Sequence, residues 1–274
     1  MQNNVILNDD TKQTLTFSNI KDETYNISLN NNNLKELTIN VINSKLSIIE
    51  NLISCLNDCQ ILINIDSKSQ LHLFTILVDN KNELFINRIV NNDGVYESMQ
   101  IDLTNNNVSS NETINLLKDE AKCSVIGGIY AISKAVKKYQ TNLNHYAINS
   151  ISKAQLFAIN DDNAHVSIYT DAYIKNGAHG AKANQEGRII NLSNTCSGIV
   201  LPNLHIDEND VEASHSCSVG SLNQDHMYYL ESRGLNKLQS RNILIKGYFN
   251  PILENISDET IKEEISKVLQ QRIG

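Results

Sequence analysis

The chain is punctuated by asparagine, aspartate and serine far more than by glycine and proline. Its 274 residues include 11 glycines and 2 prolines, yet short apolar alternations are interrupted again and again. The alternations fall at residues 14–17, 25–29, 36–41, 61–65, 71–77 and 83–89. They resume at 124–132 (one strand pair or a corner), 154–159, 165–169, 187–192, 197–201 and 204–206. Each run is strand length, and apolar–polar alternation marks a strand with one buried face. Ser, Asn and Asp between the runs make turns by bonding their side chains to nearby backbone. The spacing wanders between about 10 and about 25 residues without a strict repeat. A sandwich, a barrel and a β-solenoid all fit this pattern. In a solenoid no coil buries its inner face alone, and stacking creates one continuous core. By alternation, interior positions should include Ile61, Ile63, Phe74, Ile76, Phe157, Ile168, Ile190 and Leu192.

From Ser221 the period becomes helical. Ser221 and Gln224 have capping-box spacing. Met227, Leu230 and the Tyr228–Tyr229 pair give an apolar face, and Gly234 stands where a glycine ends a helix. Asn236 can cap a second helix carrying Leu238, Ile243, Leu244 and Tyr248. A third is expected from Ser257, with Asp258 and Glu259 early and Lys267 and Arg272 late, as the helix dipole favours. Its stripe is Ile261, Ile265, Val268 and Leu269. The chain thus divides into a β unit over residues 1–220 and a helical unit over 221–274.

Composition narrows the function. A net charge of −8 and a pI near 5.4 leave no basic face for phosphate, so nucleic acid is not expected as a partner. There is no apolar run of about 18 residues, so no transmembrane helix is expected. The first ten residues lack the basic and apolar regions of a signal peptide, which makes the cytoplasm the expected compartment. The five cysteines, Cys55, Cys59, Cys123, Cys196 and Cys217, then read as free thiols. Cys55 and Cys59 could form a metal clip, or could share a buried face if 46–59 were helical. No Walker loop, GxSxG or HExxH is present, and Gly127-Gly128 is too small to cradle phosphate. The chain is therefore not expected to be an enzyme.

Several residues could bear chemistry. His215 and Cys217 are two apart, so on a strand they share a face, and imidazole and thiolate both suit iron. The other reading is a satisfied histidine and a buried cysteine beside a helix start. Cys196 lies on a turn before a strand, and His205 should point away from its neighbour Ile206. His145 reads equally well as a polar core group. Asp162, His165 and His179 could form a metal cluster, although their surroundings read as turns.

The segments Ser214-His-Ser-Cys-Ser-Val-Gly220, Tyr228-Tyr-Leu-Glu-Ser-Arg-Gly234 and Ile243-Leu-Ile-Lys-Gly-Tyr-Phe249 resemble the C-terminal hallmark of the SufB/SufD family, scaffold subunits of SUF iron–sulfur cluster assembly. Residues 143–159 and 184–193 resemble two further family segments, with Asn144 in place of the usual acid. The resemblance implies a right-handed parallel β-helix with a C-terminal helical domain. It implies a transient iron–sulfur cluster as cargo, a SufC ATPase partner, and a SufB-type subunit or a second copy of the chain. His215 matches the family's assembly histidine, with Cys217 and Cys196 as further candidate ligands. Tyr228, Tyr229, Arg233, Gly234, Gly247 and Phe249 match the ATPase-binding end. Ile206 occupies the position of the SufB cysteine, and Ser216 that of the SufB glutamate. Both departures point to the SufD branch. Two alternatives stay open: a homodimeric scaffold filling both roles, and a carbohydrate-active β-helix enzyme using Asp161, Asp162 and Asp171.

Overall fold

The computed structural model describes residues 2–7, 9–29, 33–52, 59–78, 83–254, 256 and 259–273. Among these run seventeen strands followed by three helices. The first strands are β1 (Gln2–Val5), β2 (Lys12–Ser18), β3 (Lys21–Leu29), β4 (Glu36–Ile42), β5 (Lys45–Leu52) and β6 (Gln60–Ile65). Next come β7 (Gln70–Leu77), β8 (Leu84–Asn92), β9 (Val95–Asp102), β10 (Val108–Leu116), β11 (Lys122–Ala131) and β12 (Val136–His145). The last are β13 (Ile151–Asn160), β14 (His165–Ile174), β15 (Ala181–Asn191), β16 (Ser197–Ile206) and β17 (Val211–Ser221). The helices are α1 (Gln224–Ser232), α2 (Lys237–Leu253) and α3 (Glu259–Ile273). None of them is long and apolar enough to cross a membrane.

Odd strands form a nine-stranded sheet in the order β1 to β17, and even strands an eight-stranded sheet from β2 to β16. Neighbours in both sheets are parallel. The chain crosses between the sheets after every strand, and two strands advance it by one coil. The fold is a parallel β-solenoid of two facing sheets. Coil length varies: Gln2 pairs with Thr24, whereas His165 pairs with Ser197, 32 residues on. Corners absorb the difference, which is why the sequence shows no strict period. Asparagine turns several of them, because it tolerates positive φ. Asn19 and Asn43 have φ of 58° and 45°, and Asn43 Nδ2 donates to Asn19 Oδ1 at 2.7 Å.

Side chains in register stack from coil to coil. On the outer face of the even sheet, Asn40, Asn64, Asn91, Asn115 and Asn144 form a ladder, each amide bonding the one below at 2.9 to 3.1 Å. Inside, Ile61, Ile63 and Ile168 are buried in the main core, as alternation predicts. Phe74, Ile76, Phe157, Ile190 and Leu192 are different: they lie on the outer face of the odd sheet, beneath the helices. The inward positions of β7 are Leu71, Leu73, Thr75 and Leu77. These strands are apolar on both faces, so alternation alone assigns the wrong side.

Ile245, Phe249 and Ile252 of α2, with Ile265, Leu269 and Ile273 of α3, cover Ile49, Met99, Ile101, Tyr130 and Ile159 of the sheet. Gly128 allows this approach, since a Cβ there would lie 2.7 Å from Ile252 Cδ1. Gly127-Gly128 is thus a packing device within the single strand β11. Arg241 of α2 pairs with Asp161 at the end of β13, and Arg188 lies over the Tyr248 ring at 5.0 Å.

Asn223, not Ser221, caps α1: its side chain accepts from the backbone of Asp225 and His226, while Ser221 still belongs to β17. Asn236 caps α2 in a full capping box with Gln239. Gly234, at φ 94°, ends α1 as expected. The expected start of α3 at Ser257 and Asp258, the Ile261 side chain and Cys55 lie outside the described residues. Residues 46–52 of the segment belong to the strand β5 and not to a helix, and Cys59 is a buried thiol.

The middle coils hold charge in their interior. Arg88, 1 % exposed, donates to Glu50 at 2.5 Å and to Glu112 at 3.2 Å. Tyr96 bonds Glu112 at 2.6 Å, and Thr75 bonds Glu50 at 3.0 Å. Lys137 donates to Asp102 at 2.7 Å and to the Thr104 carbonyl at 2.8 Å, and Tyr139 donates to Asp102 at 2.6 Å. Each buried charge has a partner, without which burial would be prohibitive.

Candidate functional site

The solenoid is open at its last coil. β16 and β17 are the outermost strands of their sheets, each paired on one side. The inward row of β15 is Ala181, Ala183, Gln185, Gly187 and Ile189; in register above it on β17 stand Val211, Ala213, His215, Cys217 and Val219. The first row is buried. The second would be, but no further coil covers it, and His215, Cys217 and Val219 are exposed. Opposite, the inward row of β16 is Gly198, Val200, Pro202, Leu204 and Ile206, stacked on that of β14. Proline is admissible in this strand because one flank has no ladder to lose.

His215 and Cys217 therefore share a face, and it is the inner face at the mouth of the solenoid. Ile206 lies on the inward row of the facing edge strand. Neutral imidazole offers one lone pair and thiolate another. No group of three or more His, Cys, Asp or Glu poised to hold a metal occurs among the described residues. The mouth thus presents two donors of types that suit iron, fewer than the four of a closed site.

The other candidates are engaged elsewhere. Cys196 sits in the turn before β16, 8 % exposed, its Sγ 3.2 Å from the carbonyls of Asn160 and Ser193. It is outside the inward rows of both edge strands. His205 points outward from β16, as its position beside Ile206 predicts, and stacks on Tyr173 at 4.2 Å. His145 is fully buried, with both ring nitrogens 2.8 Å from the hydroxyls of Ser150 and Ser152. Burial pulls its pKa down to about 4, so it is a neutral core group.

Asp162, His165 and His179 do not converge. Asp162 accepts from the Ser133 backbone, His165 bonds Ser197 and Ser167, and His179 faces Glu208. Nor do the carboxylates needed for glycoside chemistry form a pair. Asp161 is tied to Arg241, whereas Asp171 accepts from Gln140 and Asn203 on the outer face of the even sheet.

The helices offer a second surface. Met227 anchors α1 against Ile190 and Leu222, which leaves Tyr228 75 % and Tyr229 55 % exposed. Arg233 lies over the Tyr229 ring at 5.3 Å. Gly247 faces open space on α2. Phe249 is a correction: it is buried between α2 and the sheet, so it holds the helix in place and offers nothing to a partner. Leu238 and Ile243, which the helical spacing reads as packed, are exposed beside this surface. Spacing marks a stripe as apolar without saying what covers it.

Residues 33–248 match the family described as SUF system FeS cluster assembly, SufBD core domain. The chain belongs to this family. It is 29% identical over 168 residues to iron–sulfur cluster assembly protein SufD of Bacillus subtilis, covering 60% of this chain and 38% of that protein. It is 30% identical over 128 residues to SufD of Plasmodium berghei, covering 46% of this chain and 10% of that protein. A SufBD family protein of Mycobacterium leprae is 27% identical over 111 residues, covering 40% of this chain and 28% of the relative. The chain thus stands close to SufD within the family, and it spans well under half the length of these relatives.

Proposed function

We propose that this chain is a SufD-type scaffold subunit of an iron–sulfur cluster assembly complex. It works in the cytoplasm with a SufC-type ATPase and a SufB-type subunit, and nascent iron–sulfur species form where two solenoids meet. The observation that carries the reading is the uncovered inward row of β17, with His215 and Cys217 side by side at an open sheet end. Long unpaired edges invite pairing with another chain, and two donors call for a partner to complete a ligand set. A second copy of this chain is the alternative partner, in which case both halves of the set would be His215 and Cys217. The cluster is cargo, held in transit; the chain binds and orients, and ATP hydrolysis belongs to the partner.

In this reading the ATPase docks on Tyr228, Tyr229, Arg233, Gly234 and Gly247, together with Leu238 and Ile243. Movement there reaches the solenoid through Phe249, Arg241 and Tyr248. Deleting residues 221–274 would bare the apolar outer face of the odd sheet, so point variants make the better test. The experiment is anaerobic co-expression with the ATPase and a SufB-type subunit, then pull-down with iron and sulfide analysis. The expected result is a three-component complex carrying iron and sulfide, with the ATPase lost from a Tyr228→Asp/Tyr229→Asp variant. A complex that never retains the ATPase, or never carries iron and sulfide above the level of the chain alone, overturns the reading.

A further inference from the structure

One buried amide at the mouth is incompletely bonded. Gln185 is fully buried on the inward row of β15. Its Nε2 donates to the backbone carbonyl of Asn203 on the facing edge strand, at 3.2 Å. A carbonyl can only accept, so the amide must present its nitrogen there, and its oxygen is turned elsewhere. That oxygen, Oε1, is buried and has no hydrogen-bond partner. Buried acceptors without a donor are rare because they forfeit their hydration.

The residue in register with Gln185 on the next coil is His215. Adjacent strands lie about 4.8 Å apart, so in-register side chains are within one hydrogen bond of each other. This molecule uses that reach repeatedly. His72 Nδ1 lies 2.6 Å from Glu97 and His165 Nδ1 2.8 Å from Ser197, and both pairs are in register on adjacent strands. Gln155 bonds its register partner Glu186 at 2.8 Å in the same way. His215 is exposed, so its side-chain torsions are free to bring a ring N–H down onto Oε1.

We infer that Gln185 is the positioning residue of His215: its side-chain oxygen takes the imidazole N–H and so fixes which ring nitrogen carries the proton. A neutral imidazole has one N–H and one lone pair. With the N–H held inward by Gln185, the lone pair points out of the mouth. Metal-binding histidines are commonly oriented by such an acceptor on the far nitrogen. The importance of the device rests on the reading of His215 as a ligand, but the tautomer is a property of this chain alone.

The test is long-range ¹H–¹⁵N correlation on the full, metal-free chain labelled at histidine, at about pH 8.5, where an ordinary histidine is neutral. His215→Ala identifies the signal. The expected result is one dominant His215 tautomer in the unaltered chain, with a ring N–H slow to exchange. In Gln185→Met, which keeps the length but removes the amide, the tautomer ratio should shift at least threefold. An unchanged ratio overturns the inference. If Gln185→Met does not fold, the unaltered chain still decides: a His215 ring N–H in rapid exchange with water overturns it. Loss of cluster loading in His215→Ala is measured separately, so failure of the cargo reading and failure of the positioning role remain distinguishable.

Discussion

Cys123 and His145 stand on inward rows in the middle of the solenoid; Cys217 and His215 stand on the inward row of its last coil. The residue types and the face are the same, and the exposure is opposite. Burial and the nearby Glu112 push the Cys123 thiol well above its ordinary range, leaving an inert core group. His145 is held neutral between two serines. His215 and Cys217 meet solvent because no coil follows. In a stacked fold, whether an inward residue is sealed in the core or available to solvent depends on its coil, and availability begins where stacking stops.

The largest effect should come from breaking the closed interior. Arg88→Met leaves Glu50 and Glu112 buried without their cation, and should cost about 3–5 kcal/mol of stability in urea unfolding. A loss below about 1 kcal/mol, as for exposed charge pairs, would mean that the middle is as wet as the end, and the comparison would fail.

Next is the acid response of His145. Its folded pKa of about 4 lies below the ordinary value of 6.5. The unfolded chain therefore takes up a proton that the folded chain refuses. The stability is full above about pH 6.5 and declines as pH falls toward about 4, by about 3 kcal/mol for this group. His145→Asn should flatten that part of the stability–pH curve relative to the unaltered chain. Parallel curves would show that the folded chain does not hold His145 neutral.

A smaller effect sharpens the contrast between thiols. Peptide-resolved labelling of the native chain should modify Cys217 rapidly, with Cys59, Cys123 and Cys196 protected until unfolding. Equal rates would place Cys217 under cover. Substituting it with serine should change stability by no more than about 0.5 kcal/mol, as at other exposed positions.

The same contrast explains what the sequence made legible. Strands with wholly apolar inward rows, such as β4 and β6, stand out by alternation. β5, β9, β10 and β12 do not, because their inward positions include Glu50, Ser98, Gln100, Asp102, Ser110, Glu112 and Lys137. The charged ones are paired with residues on other strands, such as Arg88 for Glu50, and no pattern within a single strand shows a partner 38 residues away. Phe74 and Phe157 were misplaced for the converse reason: a helix far along the chain covers them. The shared face of His215 and Cys217 was readable, since it needs only their separation by two. Their exposure was not, because it depends on β17 being the last coil. Gln185 was missed altogether; glutamine in a strand carries no mark of burial, and its open acceptor emerges only from the register with His215.

The central claim is that the open end works and the closed middle supports. The most direct measurement is iron and sulfide per complex, assembled anaerobically from His215→Ala and its partners, alongside the stability of the variant chain. The account predicts a folded chain, destabilised by no more than about 1–3 kcal/mol through the freed Gln185 acceptor, an intact complex and a clear loss of bound iron and sulfide. An intact complex loaded to the level of the unaltered chain would contradict it, and would make His215 one more exposed side chain on an edge strand.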